Sequence, residues 1–310
     1  MQLRRLLFIA AALLFATQET RASDGFYVDA GSTPAMWVRQ HPNDPRAAQI
    51  AASIATVPMA RWFGDWSGDI SLAARAFVDK AAAKDQTPIL VAYDIPNRDC
   101  AGESAGGAGG ASAYRSWIDG FAQGIAKRKA IVIVEPDSIA QIDCLKTADA
   151  RQTRLALLRY AVSRLHLNAP AADIYLDAGN VHWVPAATMA ARLVEANIGD
   201  AKGFALNVSN FYTTEESVAY AKAVNATLAD KLGHPKAVVI DTSRNGNGSH
   251  GQWCNSAGAK LGERTRFLNG QILLAWIKVP GNSDGKCGIG SSWRAGLFSP
   301  ELAIRLIDGK

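Results

Sequence analysis

Short, continuous apolar runs alternate with longer alanine-rich stretches along most of this chain, and that alternation limits the folds open to it. The runs at residues 26–30, 57–63, 88–95, 131–134, 173–176, 203–208, 237–240 and 272–279 are candidate strands. Several, such as Ile131-Val132-Ile133-Val134, contain no polar residue, the pattern of a strand covered on both faces. Between them, residues 70–83, 113–128, 147–165, 186–197 and 215–232 space their apolar side chains near the 3.6-residue period of a helix. Strand–helix alternation repeated in this way implies a parallel sheet. We read an α/β fold: a distorted (β/α) TIM-like barrel with about seven to eight parallel strands in a single domain. A doubly wound open sheet fits less well, because no Gly-x-Gly-x-x-Gly follows the first strand.

Composition removes other classes. Of 310 residues, 48% are hydrophobic and 20% charged, enough for a packed core and too apolar for a disordered chain. Four cysteines are too few for a small disulfide scaffold. The start has the layout of a secretory signal over residues 1–22: Arg4 and Arg5, an apolar run at residues 6–16, then Thr20-Arg21-Ala22. The expectation is therefore a secreted or periplasmic protein whose catalytic domain covers residues 24–310, with no membrane association after signal removal. In an oxidising compartment, Cys100, Cys144, Cys254 and Cys287 suggest two disulfides rather than a metal site, with three connectivities open. The formal charge is +5, of which the leader supplies a net +2, and no basic run is interleaved with aromatics. Nucleic acid is not an expected partner.

Chemistry gathers where the candidate strands end. Tyr93-Asp94-Ile95-Pro96-Asn97-Arg98-Asp99-Cys100 closes the third, Glu135-Pro136-Asp137-Ser138 the fourth and Asp177-Ala178-Gly179-Asn180 the fifth. Asp241-Thr242-Ser243-Arg244 closes the seventh, and the eighth runs through Lys278 to Asp284. A barrel places its reacting groups at these ends, so the acids would share one mouth. Arg98, Arg244 and Lys278 would hold some of them ionised, while like charges raise the pKa of another. Trp62, Trp183, Trp253 and Tyr93 lie in the same segments and suit stacking on sugar rings. Carboxylates beside aromatics in an exported protein point to polysaccharide hydrolysis. The five histidines show no ligand spacing, and neither a metal nor a cofactor is expected.

Seven collinear strings resemble glycoside hydrolase family 6, also called cellulase family B. They are Tyr93-x-x-Pro96-x-Arg98-Asp99-Cys100, Glu135-Pro136-Asp137-Ser138, Asp177-Ala178-Gly179, Asn207-x-x-Asn210, Asp241-Thr242-Ser243-Arg244-Asn245-Gly246, Trp253-Cys254-Asn255 and Trp276-x-Lys278-x-Pro280-Gly281-x-x-Asp284-Gly285. The resemblance implies an inverting endo-β-1,4-glucanase, acting as a monomer on cellulose and cello-oligosaccharides. It implies that Asp137 is the general acid, that Asp99 tunes it and relays a proton from water, and that Asp284 is the proposed base. Arg244 and Lys278 match the cations beside Asp284, and Asp177 a further carboxylate lining the site. Tyr93 matches the aromatic at the cleavage point, Ser104 a mobile serine that positions water, and Trp62, Trp183 and Trp253 the stacking platforms. Asn210 belongs to the substrate-binding set. The family's pairing implies Cys100–Cys144 and Cys254–Cys287.

Two positions depart from the family pattern: Asn180 replaces a histidine, and Asn282 a glutamate. Both fall where sugars are touched rather than where the bond breaks. They leave open another β-glucan as substrate; a non-catalytic glucan-binding protein, the alternative from a different class, would require lost chemistry, yet Asp99, Asp137 and Asp284 are all present. The short span from Cys254 to Cys287 favours an open cleft and internal cutting, with soluble or amorphous glucan preferred over crystalline cellulose.

Overall fold

The continuous apolar runs become strands buried on both sides. In the computed structural model, which describes residues 25–310, the strands are β1 (Arg61–Phe63), β2 (Ile89–Ala92), β3 (Ala130–Val134), β4 (Ala172–Asp177), β5 (Gly203–Leu206), β6 (Ala237–Asp241), β7 (Arg266–Asn269) and β8 (Ile272–Ala275). The expected leader at residues 1–22 lies outside the described residues. The sheet order is β1-β2-β3-β4-β5-β6-β8-β7, with every pairing parallel except β7 with β8. The helices are α1 (Thr33–Gln40), α2 (Ala47–Ile50), α3 (Ile70–Ala82), α4 (Ala111–Ile125), α5 (Ala148–Asn168), α6 (Ala186–Glu195), α7 (Thr214–Leu232) and α8 (Pro300–Asp308).

Alternate residues of one strand serve two cores. Val132 and Val134 pack outward with Phe121, Ile118 and Leu158 of the helices. Ile131 and Ile133 point inward to Val91, Tyr175, Val239 and Leu273. This is why the run at 131–134 needs apolar residues at every position. The curled sheet closes through one contact rather than a ladder. Met59 bridges Trp276, with Ala60 N donating to Trp276 O at 2.8 Å. Trp62 Nε1 adds a bond to Ile277 O at 2.8 Å. That single junction makes the barrel distorted.

The helix boundaries follow local chemistry. Asp69 caps α3 by accepting from Leu72 N, and Thr147 caps α5 through Ala150 N. Thr213 and Glu216 form a capping box at the start of α7, and Gly233 ends it at φ +80°.

The structure corrects the expected elements in two places. Residues 26–30 do not form a strand: only Phe26 bridges Thr87, and Asp29 then accepts from Gly31 N to turn the chain towards α1. The edge strand β7 is absent from the expected set. Its residues Arg266-Phe267-Leu268-Asn269 show no clean period, and the Asn269-Gly270 turn folds them back onto β8. Among the described residues, no helix is long and apolar enough to cross a membrane.

Trp276 is fully buried, donates Nε1 to Glu263 O, and carries the closing bridge. Trp276→Ala is expected to lower stability by about 3–5 kcal/mol in urea unfolding, the loss typical of a buried Trp truncation.

Candidate active site

Several strand ends are stapled to a neighbour by a buried polar side chain, and these staples build the site. Glu135, leaving β3, accepts from Asp94 N and Ile95 N, which leave β2, at 3.0 Å each through Oε2. Asp177, ending β4, accepts from Asp137 N at 2.9 Å and from Gly179 N at 3.0 Å. Asn207, after β5, donates to Asp241 O at 2.9 Å. Asp241, ending β6, accepts from Ser209 N and Lys278 N at 2.9 Å each. A buried carboxylate needs such donors, because an unpaired charge out of water is strongly unfavourable. The peptides that satisfy it are those carrying the reactive residues.

Asp137 and Asp177 form the acid side. Burial raises the pKa of Asp137 well above the usual carboxylate range, and the charges of Asp177 and Asp99 push it further. Burial raises Asp177 to about 7 despite its two amide donors, and its Oδ2 has no hydrogen-bond partner among the described residues. At neutral pH this pair retains a proton, as a general acid requires. Asp137 also sits at φ +71°, a conformation that a non-glycine residue adopts only when its surroundings enforce it.

Asp284 is the opposite case. Arg244 Nη1 bonds Oδ2 at 2.7 Å, Lys278 Nζ bonds Oδ1 at 2.8 Å, and Asn255 N donates to Oδ2 at 2.9 Å. Burial works against its charge, yet the two cations overcome that and hold the carboxyl down at about 2. A carboxylate so neutralised is a poor proton acceptor.

Asp99 lies on the loop after β2, where Asn97, Asp99, Cys100 and Ala101 all have positive φ. Its Oδ2 accepts from Ser104 N at 2.7 Å, and burial raises its pKa. Arg98 anchors this loop: Nε donates to Ser104 O at 2.9 Å, and Nη1 to Asp65 Oδ1 and Tyr93 O at 3.2 Å each. Across the opening, Glu103 Oε2 accepts from Lys286 N at 3.1 Å, so this loop touches the one that carries Asp284.

The aromatics fall into two groups. Tyr93 is buried beside Asp137 and Asp99, with Trp62 set edge-on at 5.1 Å. Trp183 packs over Gly179 with its ring partly exposed, and Trp253 is exposed on the loop after β6. Asn210 is buried and donates to Val208 O, so its side chain shapes the turn after β5. Cys100 pairs with Cys144 and Cys254 with Cys287, the pairing that the family resemblance implies.

Sequence reasoning misses two positioning groups. Glu135 is visible in its motif but carries no role there, and Arg154 on α5 belongs to no motif at all. Buried Arg154 donates to Pro96 O, Asn97 O and Ser138 O, so carboxylate and guanidinium grip the two loops bearing Asp99 and Asp137. Only the fold brings residues 96 and 154 together. Asn282 is engaged within the protein. Its Oδ1 accepts from Thr33 Oγ1 at 2.7 Å, which ties the last loop to α1. Asn180 is buried and accepts from His182 N.

Acids gathered at the carboxyl rim of a curled parallel sheet, one protonated and one clamped between cations, define a glycoside hydrolase. The family model of glycosyl hydrolases family 6 matches residues 17–301, and the chain belongs to that family. It is 51% identical over 305 residues to Endoglucanase 1 of Streptomyces halstedii, covering 98% of this chain and 95% of that protein. Endoglucanase A of Cellulomonas fimi is 41% identical over 291 residues, which span 92% of this chain but 61% of that protein. The solved endoglucanase Cel6 of Mycobacterium tuberculosis, in complex with methyl-cellobiosyl-4-deoxy-4-thio-β-D-cellobioside, superposes with a TM-score of 0.85 at 38% identity, covering 93% of this chain and 98% of that one.

Glu135 and Asp177 are each raised to about 7 by burial. An unfolded carboxyl titrates near 4, so the folded state binds extra protons between about pH 4 and pH 7 and loses stability as pH rises through that window. Unfolding by urea should therefore show lower stability at about pH 7.5 than at about pH 5, and Glu135→Gln should flatten that slope.

Proposed function

We propose that this protein is an exported, inverting endo-β-1,4-glucanase that cleaves internal bonds of cellulose chains and cello-oligosaccharides. The observation that carries this reading is the division between Asp137, kept protonated by burial and its acidic neighbours, and Asp284, kept ionised by Arg244 and Lys278. The endoglucanase names of the relatives and the cello-oligosaccharide analogue held by the solved neighbour support the substrate. The leader pattern supports export, and a site assembled from the strand ends of one chain supports a monomer.

In this mechanism Asp137 gives its proton to the glycosidic oxygen as the C1–O bond breaks. Water attacks C1 from the opposite face, which inverts the anomer. Ser104 positions the attacking water, and the proton that this water releases passes along a water chain to Asp99, whose carboxyl burial has made more basic. Asp284 stays ionised throughout and fixes Lys278 and Arg244 beside the site. Tyr93 borders the sugar at the cleavage point, while Trp62, Trp183 and Trp253 stack its neighbours.

The test is hydrolysis of cellohexaose with the product anomer followed by proton NMR. The wild type should release the α-anomer first, and Asp137→Asn should lose about two to four orders of magnitude in kcat. Binding of the hexamer without any turnover by the wild type would refute the enzymatic reading. A second outcome concerns pH. Asp137 acts protonated, so the rate falls as pH rises through its pKa. Asp177→Asn removes a neighbouring charge that raises this pKa, so the basic limb of the kcat profile should move to lower pH.

A further inference from the structure

An indole left in water forfeits the burial free energy of a large apolar surface, about 25 cal/mol per Å². Among the described residues, three tryptophans are exposed: Trp66 at 56%, Trp183 at 38% and Trp253 at 57%. All three lie at the carboxyl rim of the sheet, after β1, β4 and β6 respectively. Trp183 and Trp253 already have a place as platforms in the glucanase reading. Trp66 has none, yet it shares their exposure and their rim.

Its seat is specific. The short turn Asp65–Ser67 lifts the ring immediately after β1, three residues beyond Phe63, which faces outward against the helices. Gly64 lies beneath it, where a Cβ would come within 2.6 Å of the ring. The Arg98 guanidinium sits 5.0 Å from the ring centroid and 5.1 Å from that of Tyr93. Trp66 is thus separated from the aromatic at the cleavage point by one guanidinium. Arg98 is itself fixed by Asp65, Tyr93 O and Ser104 O. The ring is therefore held by Gly64 and Arg98, with Trp66 56% exposed. A rigid, partly covered indole of this kind stacks on a pyranose ring with little ordering cost.

We propose that Trp66 is a further glucan-stacking platform, which takes a sugar ring of the chain beyond those contacted by Trp62 and Tyr93. This inference rests on the glucanase reading and adds chain-length preference to it. Long oligomers reach Trp66, and short ones do not.

The experiment compares wild type, Trp66→Ala and Trp66→Phe on cellotetraose and cellohexaose, reading kcat and KM separately. Binding of both oligomers is titrated calorimetrically to the Asp137→Asn protein with and without Trp66→Ala. Trp66→Ala should weaken cellohexaose about five- to tenfold in KM and Kd, with kcat and the cellotetraose values changed by less than about twofold. Trp66→Phe keeps an aromatic face over Arg98 and should recover most of the loss, which separates stacking from a loosened Ser104 loop. Equal loss on both oligomers, or no change on either, with an active wild type overturns the platform alone. Failure of the wild type to bind or cut either oligomer overturns the glucanase reading and the platform with it.

Discussion

Buried carboxylates that take main-chain donors from the exits of neighbouring strands are the constraint on which the rest of this molecule depends. Glu135 holds the exit of β2, Asp177 the exit of β3, and Asp241 the exits of β5 and β8. Each of these acids is removed from water, and each recovers hydrogen bonds from main-chain N–H groups. The pairing runs around the rim and leaves little freedom in where Asp99, Asp137 and Lys278 stand. Fold closure and active-site geometry are thus set by the same bonds. The single bridge between Met59 and Trp276 completes the ring on the side where no carboxylate does so.

The same loss of solvent divides the acids chemically. Where a carboxylate meets other carboxylates, as Asp137 meets Asp177 and Asp99, burial and repulsion act together and the proton stays. Where two cations approach, as Arg244 and Lys278 approach Asp284, their field exceeds the burial penalty and the proton leaves. One mouth then holds an acid and a fixed charge with no difference in residue type. The contact between Glu103 and Lys286 brings the loop of Asp99 against the loop of Asp284, so the two halves of this chemistry also meet above the sheet.

Much of this is legible in the chain. Runs with no polar residue forecast strands with two buried faces, and β3 serves an inner and an outer core as that pattern requires. The five expected helices occur because their apolar periods and caps agree. The strings ending the strands place the acids on one rim. What escapes is decided by contacts distant in sequence. β7 has three exposed residues and forms because β8 folds back on it, not because its composition asks for a strand. Arg154 looks like any helix arginine until the fold sets its guanidinium against three loop carbonyls. Asn282 Oδ1 is held by Thr33 from the start of α1, a contact between residues far apart in the chain.

The sequence by itself determined the alternation of strand and helix, the family resemblance and the gathering of acids where strands end. It could do so because hydrophobic period and local motif are properties of neighbouring residues. Only the tertiary structure supplies the physical reason why one aspartate keeps its proton and another does not. That depends on the charges and amides assembled around each one from strands far apart in the chain, and on how completely water is excluded from each carboxyl.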